Sequence, residues 1–535
     1  MSNSIEKESS ALDAPAEKTT GSSQAGGFGL LLENIRAFPG NFRDAVIRHG
    51  VPDSQRTRSQ AVFSNIFLHI HSIRTHRWTL KKSFTVGLGV ATTALFLILS
   101  VTGIMLMVYY KPTEAEAYNS IKDIHYIVPG GRLLRNTHRW AANLMVISAL
   151  LHMVRVFFTA SYQKPREFNW LIGIALLVLT LALSFTGYCL PWDQLAYWAV
   201  VIGSNIAGSA VELTDALNVT QVFDIGMMQR QILLGASSVG GEAILRFYWI
   251  HCIALPFAMT VLIGMHFWRI RKDGGMSRPS DIREEELAGL PEDEVGKAAF
   301  QGSGKTYTLM CAVPEKTLQV DKDQENTVHS WPHAFRAEMA VVMTVLAVVL
   351  LLGVFYNAPL KIAADPAIPE NPAKAPWYFL GLQEVVSYSA FAGGIGVPLF
   401  MLVGLACIPF LDRERGKLGR WPRQRDLRCA IISLAFSFLC IVATLSFRVH
   451  FGWLRDWWPG INQLWIILIN PGTLVLAVFT GYSLLWTGRT GSTRLGAIAF
   501  FCCLMTFFVV FTYFGTVHRG PNWDFYWWPS QWPTH

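Results

Sequence analysis

Long apolar blocks of similar length recur along this chain, separated by polar stretches. They fall at about 84–110, 138–159, 168–190 and 248–270, then near 336–356, 396–411, 428–447, 462–486 and 495–516. A helix rising ~1.5 Å per residue needs roughly 20 such residues to cross a hydrocarbon layer of ~30 Å. Nine membrane spans are therefore predicted, and the polar segment 271–335 divides them into four and five. Residues 1–27 are rich in Ser, Ala, Gly and Glu with no apolar run, as expected of a disordered, uncleaved tail. Residues 28–82 mix apolar and basic side chains (Phe28, Leu30, Leu31, Phe38, Phe42, then Arg74, Arg77, Lys81, Lys82). That mixture suits amphipathic helices lying on a membrane surface.

Composition agrees with this pattern. A chain of 535 residues would ordinarily make several soluble domains, but 52% of its residues are apolar and only 15% charged. The 19 Trp suit rings seated at a membrane interface. The net charge of +8 has a positional meaning. Arg413, Arg415, Lys417, Arg420, Arg423, Arg425 and Arg428 crowd one short loop, and Arg74–Lys82, Lys164/Arg166, Arg269–Lys272 and Arg489/Arg494 share its side. The alternate connections 191–247, 358–395, 448–461 and the tail from 517 are poorer in Lys and Arg. Positive charge marks the cytoplasmic face, so the N-terminus is expected inside and the C-terminus outside. Nucleic acid is not implied. The eight Cys include no C-x-x-C pair, which excludes the usual covalent c-type haem attachment and gives no disulfide framework. Gly302-Ser303-Gly304-Lys305-Thr306 imitates a phosphate-binding loop, but Ala299 stands where that motif needs glycine. The connections 191–247 and 358–395 are long enough to expect a function of them.

The chemistry lies in four histidines within the apolar blocks. His138 and His152 share the second block, His251 and His266 the fourth. At ~100° per residue, intervals of fourteen and fifteen return to within about 40° and 60° of the start, so each pair shares a face. The members of a pair stand ~21 Å apart along the helix. A single such His would read as a satisfied core residue or a proton relay. Two helices facing each other instead create two stacked sites of two imidazoles each. That is the ligand set of a six-coordinate haem that carries electrons. Gly89 and Gly103 in the first block, and Gly173 and Gly187 in the third, repeat the fourteen-residue interval. One pair alone would mean helix packing at small residues. Two pairs favour a four-helix bundle whose backbone lets haem approach. Arg135, Arg155 and Arg246 lie close to the ligands as candidate partners for haem propionates, with Arg139 an equal alternative.

Arg135-Asn136-Thr137-His138-Arg139-Trp140, His152-x-x-Arg155, Gly187-Tyr188-Cys189-Leu190-Pro191-Trp192-Asp193-Gln194 and Arg246-Phe247-Tyr248-x-x-His251 carry a resemblance. Over about residues 60–272 the chain resembles cytochrome b of quinol–cytochrome c reductases, and most of all the chloroplast type. The fifteen-residue His251–His266 interval fits that branch. Residues 336–447 resemble its companion subunit, fused in one chain.

The resemblance implies an all-α membrane protein, a four-helix dihaem bundle plus a C-terminal bundle, with about nine transmembrane helices. The expected organisation is an N-terminal extension (1–60), the dihaem domain (61–272), a cytoplasmic linker (273–335), a C-terminal domain (336–447) and additional helices with a tail (448–535). His138 and His251 would hold a low-potential haem b near the outer surface. His152 and His266 would hold a high-potential haem b near the cytoplasm. Quinol, by family analogy menaquinol, would be oxidised between Pro191–Trp198, including Trp192, and the 376–384 segment with Trp377, Tyr378 and Glu384. Arg271 matches a basic residue near a cytoplasmic quinone-reduction site, and equally suits a positive-inside anchor. Expected partners are a Rieske iron–sulfur protein, a c-type cytochrome and a second copy in a homodimeric complex of a bacterial cytoplasmic membrane.

Two positions depart from the family. The Cys that attaches a third haem in chloroplast-type proteins aligns with Gly87, so no covalent third haem is expected. The motif Pro-Glu-Trp-Tyr reads Ala375-Pro376-Trp377-Tyr378, and its carboxylate is missing. Glu384 is the nearest carboxylate and the candidate proton acceptor, with pairing near a helix end as the alternative. Rival readings are a dihaem membrane anchor of a dehydrogenase or hydrogenase, and a transporter with proton-relay histidines. The anchor would lack the Pro191–Gln194 and Trp377–Tyr378 elements. The transporter would not explain the matched His and Gly spacing.

Overall fold

The computed structural model describes residues 55–65, 68–292, 326–412 and 418–533, with a few isolated positions besides. The expected tail 1–27, the Gly302–Thr306 stretch and Arg413, Arg415 and Lys417 lie outside the described residues. Among those described, nine long helices carry the architecture. They are α1 Leu88–Met107, α2 Gly131–Phe158, α3 Glu167–Tyr188 and α4 Gly241–Lys272, then α5 Phe335–Phe355, α6 Val397–Leu411, α7 Arg425–Phe451, α8 Pro471–Thr490 and α9 Thr493–Val517. Eight are long and apolar enough to cross a membrane. The exception is α8, a 20-residue helix whose interspersed Thr and Gly residues dilute its apolar run. Large side chains such as Ile104, Phe257 and Leu439 face outward, a surface that suits lipid.

The expected span 462–486 divides in two. A short helix, Gln463–Leu468, ends before Asn470, and α8 starts afresh at Pro471. Pro471 has no N–H to extend the first helix. The Asn470 side chain accepts from the backbone N–H groups of Gly472 and Thr473 at 3.0 and 3.1 Å, capping the second.

Helices α1–α4 form one bundle in which α1 packs on α2 and α3 on α4. Leu95, Ala141, Met145 and Met259 fill its middle, with Leu176, Leu179 and Leu183 around them. Helix α5 packs against α1 and α2. Helices α6–α9 form a second bundle around α9, the most buried of the spanning helices. Phe501, Phe507 and Phe511 of α9 pack with Phe479 of α8 and Ile441 of α7 in a core that continues into α2. There Phe157 stacks on Phe501 with ring centroids 3.9 Å apart. Beside that stack the buried Arg494 and Asp412 pair at 3.4 Å, and the Tyr162 hydroxyl donates to Asp412 at 2.6 Å. The two bundles thus share one core, closed at one end by a buried ion pair.

The remaining elements cap the bundles. Short helices, among them Gln194–Ala207 and Ile225–Leu234, occupy the α3–α4 connection, and Trp377–Val386 lies between α5 and α6. This is the loop-rich end. At the opposite, linker end, Arg74–His76 pairs antiparallel with Thr327–His329 and ties the segment before α1 to the approach to α5.

Candidate functional site

The four histidines form two pairs between α2 and α4. The imidazole centroids of His138 and His251 are 6.4 Å apart, and those of His152 and His266 are 6.5 Å apart. Two imidazoles bound on opposite sides of one metal by bonds of about 2 Å place their centroids roughly 6 Å apart. The spacing therefore fits one iron between each pair. Among the described residues no three His, Cys, Asp or Glu gather as a bare metal site would need. Paired imidazoles in an apolar bundle are instead a donor set for a ligand that brings its own four equatorial nitrogens.

The unequal intervals of fourteen and fifteen residues are reconciled in α4. Its Ile250–Ala254 stretch is a single turn of π-helix containing His251, just ahead of Pro256. Proline lacks the N–H for a regular helical bond and crowds the carbonyl four residues back, and a π-turn absorbs one extra residue. The added residue brings His266 back into register with His152.

Each expected glycine faces one of these rings. A Cβ on Gly103 would lie 3.2 Å from His138 Cε1, and one on Gly89 would lie 3.2 Å from His152 Cε1. On Gly187 it would lie 2.5 Å from His251 Cε1, and on Gly173 4.0 Å from His266 Cε1. The room the glycines leave borders the imidazoles themselves. These distances grade the sites. Gly187→Ala should displace His251 and lower haem occupancy at the 138/251 level, whereas Gly173→Ala should be tolerated. Haem content per protein in the two purified variants checks this, and equal occupancy would show that the glycines do not set the ring positions.

Hydrogen bonds distinguish the two levels. The Thr102 hydroxyl donates to the Ile98 carbonyl at 2.7 Å and lies 2.8 Å from His138 Nδ1. The Thr186 hydroxyl donates to the Ala182 carbonyl at 2.9 Å and lies 3.2 Å from His251 Nδ1, which also meets the Leu183 carbonyl at 3.1 Å. Nδ1 of His152 makes no hydrogen bond, and His266 is approached by the Asn169 backbone carbonyl and by no hydroxyl. The sequence reading missed both threonines. Their signal is the Thr-Gly dipeptide that ends each glycine pair.

The candidate propionate arginines separate. Arg155 donates from Nε to the Phe84 carbonyl at 3.1 Å, and its Nη2 is buried without a partner, an open donor next to the 152/266 level. Arg135 is committed elsewhere, donating to the carbonyls of Ala358 and Pro359 at 2.9 and 2.6 Å. Arg246 donates to the Ile232 carbonyl at 2.6 Å and holds the surface helices of the α3–α4 connection. Arg139 sits over the Tyr188 ring, 5.5 Å from its centroid. Arg271 is exposed and donates to the His69 carbonyl at 2.6 Å, joining α4 to the segment before α1.

At the loop-rich end two expected segments meet the last turns of α3. Trp192 turns the chain sharply with φ +52. Asp193 then caps the next helix by accepting from the Ala196 N–H at 2.9 Å, and its other oxygen accepts from the Lys361 N–H at 2.9 Å. That clasp brings Pro191–Gln194 onto the 358–375 connection. Trp377 donates to the Asn143 side chain of α2 at 3.0 Å. Tyr378 is buried beside Ser184, and Phe379 meets Phe185 edge-on. Burial pushes the Tyr378 phenol up to about 12, so it remains a neutral hydroxyl at physiological pH.

Glu384 does not join them. Its carboxylate is fully buried and accepts from Arg519 Nε at 2.9 Å, Arg519 Nη2 at 2.5 Å, Trp523 Nε1 at 2.9 Å and the Tyr388 hydroxyl at 2.5 Å. Those four donors occupy the lone-pair directions of its two oxygens. The pairing alternative is the one the structure shows, and Arg519 and Trp523 are partners the sequence reading did not name. At Gly87 φ is +65, and a Cβ would come within 2.7 Å of Val341 Cγ2. A cysteine there would need both backbone strain and a shift of the Val341 side chain.

The family model "Cytochrome b/b6/petB" matches residues 78–274, the α1–α4 bundle. Cytochrome b6 of Heliobacterium mobile is 44% identical over 187 residues, which cover 35% of this chain and 82% of that protein. Cytochrome b6 of Prochlorococcus marinus (strain MIT 9515) is 41% identical over 187 residues, covering 80% of its length. A solved structure titled "Hyperthermophilic respiratory Complex III" shares the fold over 81% of this chain and 91% of its own, with a TM-score of 0.52 and 22% identity. That overlap extends the shared fold well beyond the family-matched bundle.

Proposed function

Because the chain belongs to the cytochrome b/b6 family of multi-pass membrane electron carriers, we propose that it is the dihaem, quinol-oxidising subunit of a Rieske/cytochrome b complex. The observation that carries this is the pair of imidazole sites, 6.4 and 6.5 Å between centroids, stacked inside one apolar bundle. His138 with His251, and His152 with His266, would each hold a haem b, and Arg155 would direct its open Nη2 to a propionate. When bound, the haems supply one-electron carriers at two depths of the membrane.

The chain's own residues supply position and insulation. The Pro191–Gln194 turn with Trp192, and Tyr378 beside Ser184, would flank the end of α3 as the place where a quinol, menaquinol by family analogy, would give up two electrons and two protons. One electron would leave through a Rieske partner toward a c-type cytochrome. The other would cross the bundle to a quinone near Arg271. Release of protons on one face and uptake on the other would store a gradient across a bacterial cytoplasmic membrane, with the loop-rich end outside. Gln194 and Asp193 hold the outer turn, and Tyr378 stays protonated as a hydroxyl donor. With Glu384 occupied by Arg519, water or a histidine of the Rieske partner takes the protons. The family's covalent third haem is absent from this proposal, because Gly87 carries no thiol to form the thioether bond.

A reduced-minus-oxidised spectrum of the purified complex, with a quinol as reductant, tests the reading. Two b-type components and a co-purifying Rieske protein are expected. A spectrum without b-type bands would overturn the proposal. Bands that co-purify with a dehydrogenase or hydrogenase instead would make the chain a dihaem anchor.

A further inference from the structure

The two imidazole levels share glycine spacing and ring separation, yet differ at the residue before each glycine. At the 138/251 level these residues are Thr102 and Thr186, and at the 152/266 level they are Leu88 and Ile172. A threonine hydroxyl donating to the carbonyl four residues back is common in apolar helices and signifies little alone. Here it has a consequence. Each hydroxyl commits its single proton to the backbone, Thr102 to Ile98 and Thr186 to Ala182. Its oxygen therefore meets the imidazole nitrogen only as an acceptor. At His251 the Leu183 carbonyl imposes the same direction, since a carbonyl cannot donate. With the hydroxyl protons on the backbone carbonyls, Nδ1 of both histidines carries the proton and Nε2 keeps a free lone pair for iron.

We propose that Thr102 and Thr186 lock His138 and His251 in the Nδ1–H form and hold the haem between them at a lower reduction potential than the haem between His152 and His266. The proposal rests on the dihaem reading above. A ligand imidazole that donates its other N–H to an oxygen becomes more basic and gives more charge to iron. Charge donation favours the oxidised metal, so the bonded level is the harder to reduce. At the other level Leu88 and Ile172 bring no hydroxyl, His152 Nδ1 makes no hydrogen bond, and His266 has only the Asn169 backbone carbonyl near it. Two threonines would thus set the direction of the potential difference across the bundle. They are positioning residues that act on iron through the imidazoles.

Potentiometric titration of the two b-type signals in the purified complex tests this. Thr102→Val should shift the reduction equilibrium of the lower-potential component upward by about tenfold, equivalent to about 59 mV for a one-electron couple. Thr102→Ser keeps the oxygen and should restore the wild-type value. Thr186→Val should move the same component less, because His251 retains the Leu183 carbonyl. The higher-potential component should not move in any variant. Loss of the lower-potential signal in Thr102→Val with recovery in Thr102→Ser would equally support a hydroxyl that holds the ring. A Thr102→Val protein with both signals at full amplitude and wild-type potentials would overturn the threonine proposal alone. A wild type without two b-type signals would overturn the dihaem reading, and this proposal with it.

Discussion

Replacing His138 with Ala is expected to abolish one b-type signal completely and leave the other at full amplitude, so that total b absorbance falls to about half. Both ligands at a level come from helices that cannot approach further. The imidazoles of α2 and α4 stand 6.4 Å apart at this level, and Gly103 leaves its space to the ring. Truncation would remove one of the two imidazoles that would hold the haem and leave a cavity in its place, which no neighbouring side chain can fill as a ligand. His251→Ala should behave identically, whereas His152→Ala and His266→Ala should remove the other component. The spectrum of each membrane-extracted variant, recorded with dithionite reduction, decides it. If His138→Ala retains both signals in full, the pairing of α2 with α4 is wrong. A loss of both signals from every variant would mean that the levels do not form independently.

What could be read in the sequence follows from how far each signal reaches along the chain. The His and Gly intervals lie within single helices, where 3.6 residues per turn maps number onto face, so α1–α4 and the pairing of their four imidazoles are legible in the sequence. The fifteen-residue interval left an angular mismatch on paper. Pro256 was the local clue that a π-turn removes it. Asn470-Pro471 was likewise in plain view as a cap followed by a proline, yet the apolar run on both sides concealed the break. Side-chain partnerships across the chain were another matter. Arg135 lies among the ligands in sequence but binds carbonyls 223 and 224 residues later. Glu384 meets Arg519 135 residues on. No periodicity records such pairs, because they depend on where two bundles come to rest. Residues after 448 show the same limit. They read as extra helices, and α9 proves to be the centre of the second bundle.

The second large effect is expected at that Glu384–Arg519 pair. Both groups are buried, and the pair joins the helix carrying Trp377 and Tyr378 to the segment following α9. Burial opposes the Arg519 charge, but the hydrogen-bonded Glu384 carboxylate outweighs it and raises the Arg519 pKa. Breaking a buried pair from one side leaves the other charge desolvated, at a cost of about 3–5 kcal/mol. Arg519→Leu should therefore lower the melting temperature of the complex and slow quinol oxidation, since Glu384 must then find water or rearrange its helix. Glu384→Gln should cost less, because the amide keeps an oxygen for Arg519 and Trp523. Combining Arg519→Leu with Glu384→Gln removes both charges and should recover most of the stability lost in Arg519→Leu alone, with both haem signals unchanged throughout. Turnover should recover alongside stability, because Glu384 contributes a tether for Tyr378 and no proton path. The opposite pattern would return Glu384 to the chemistry: Glu384→Gln at wild-type stability with turnover lost across the pH range, and no recovery in the double variant.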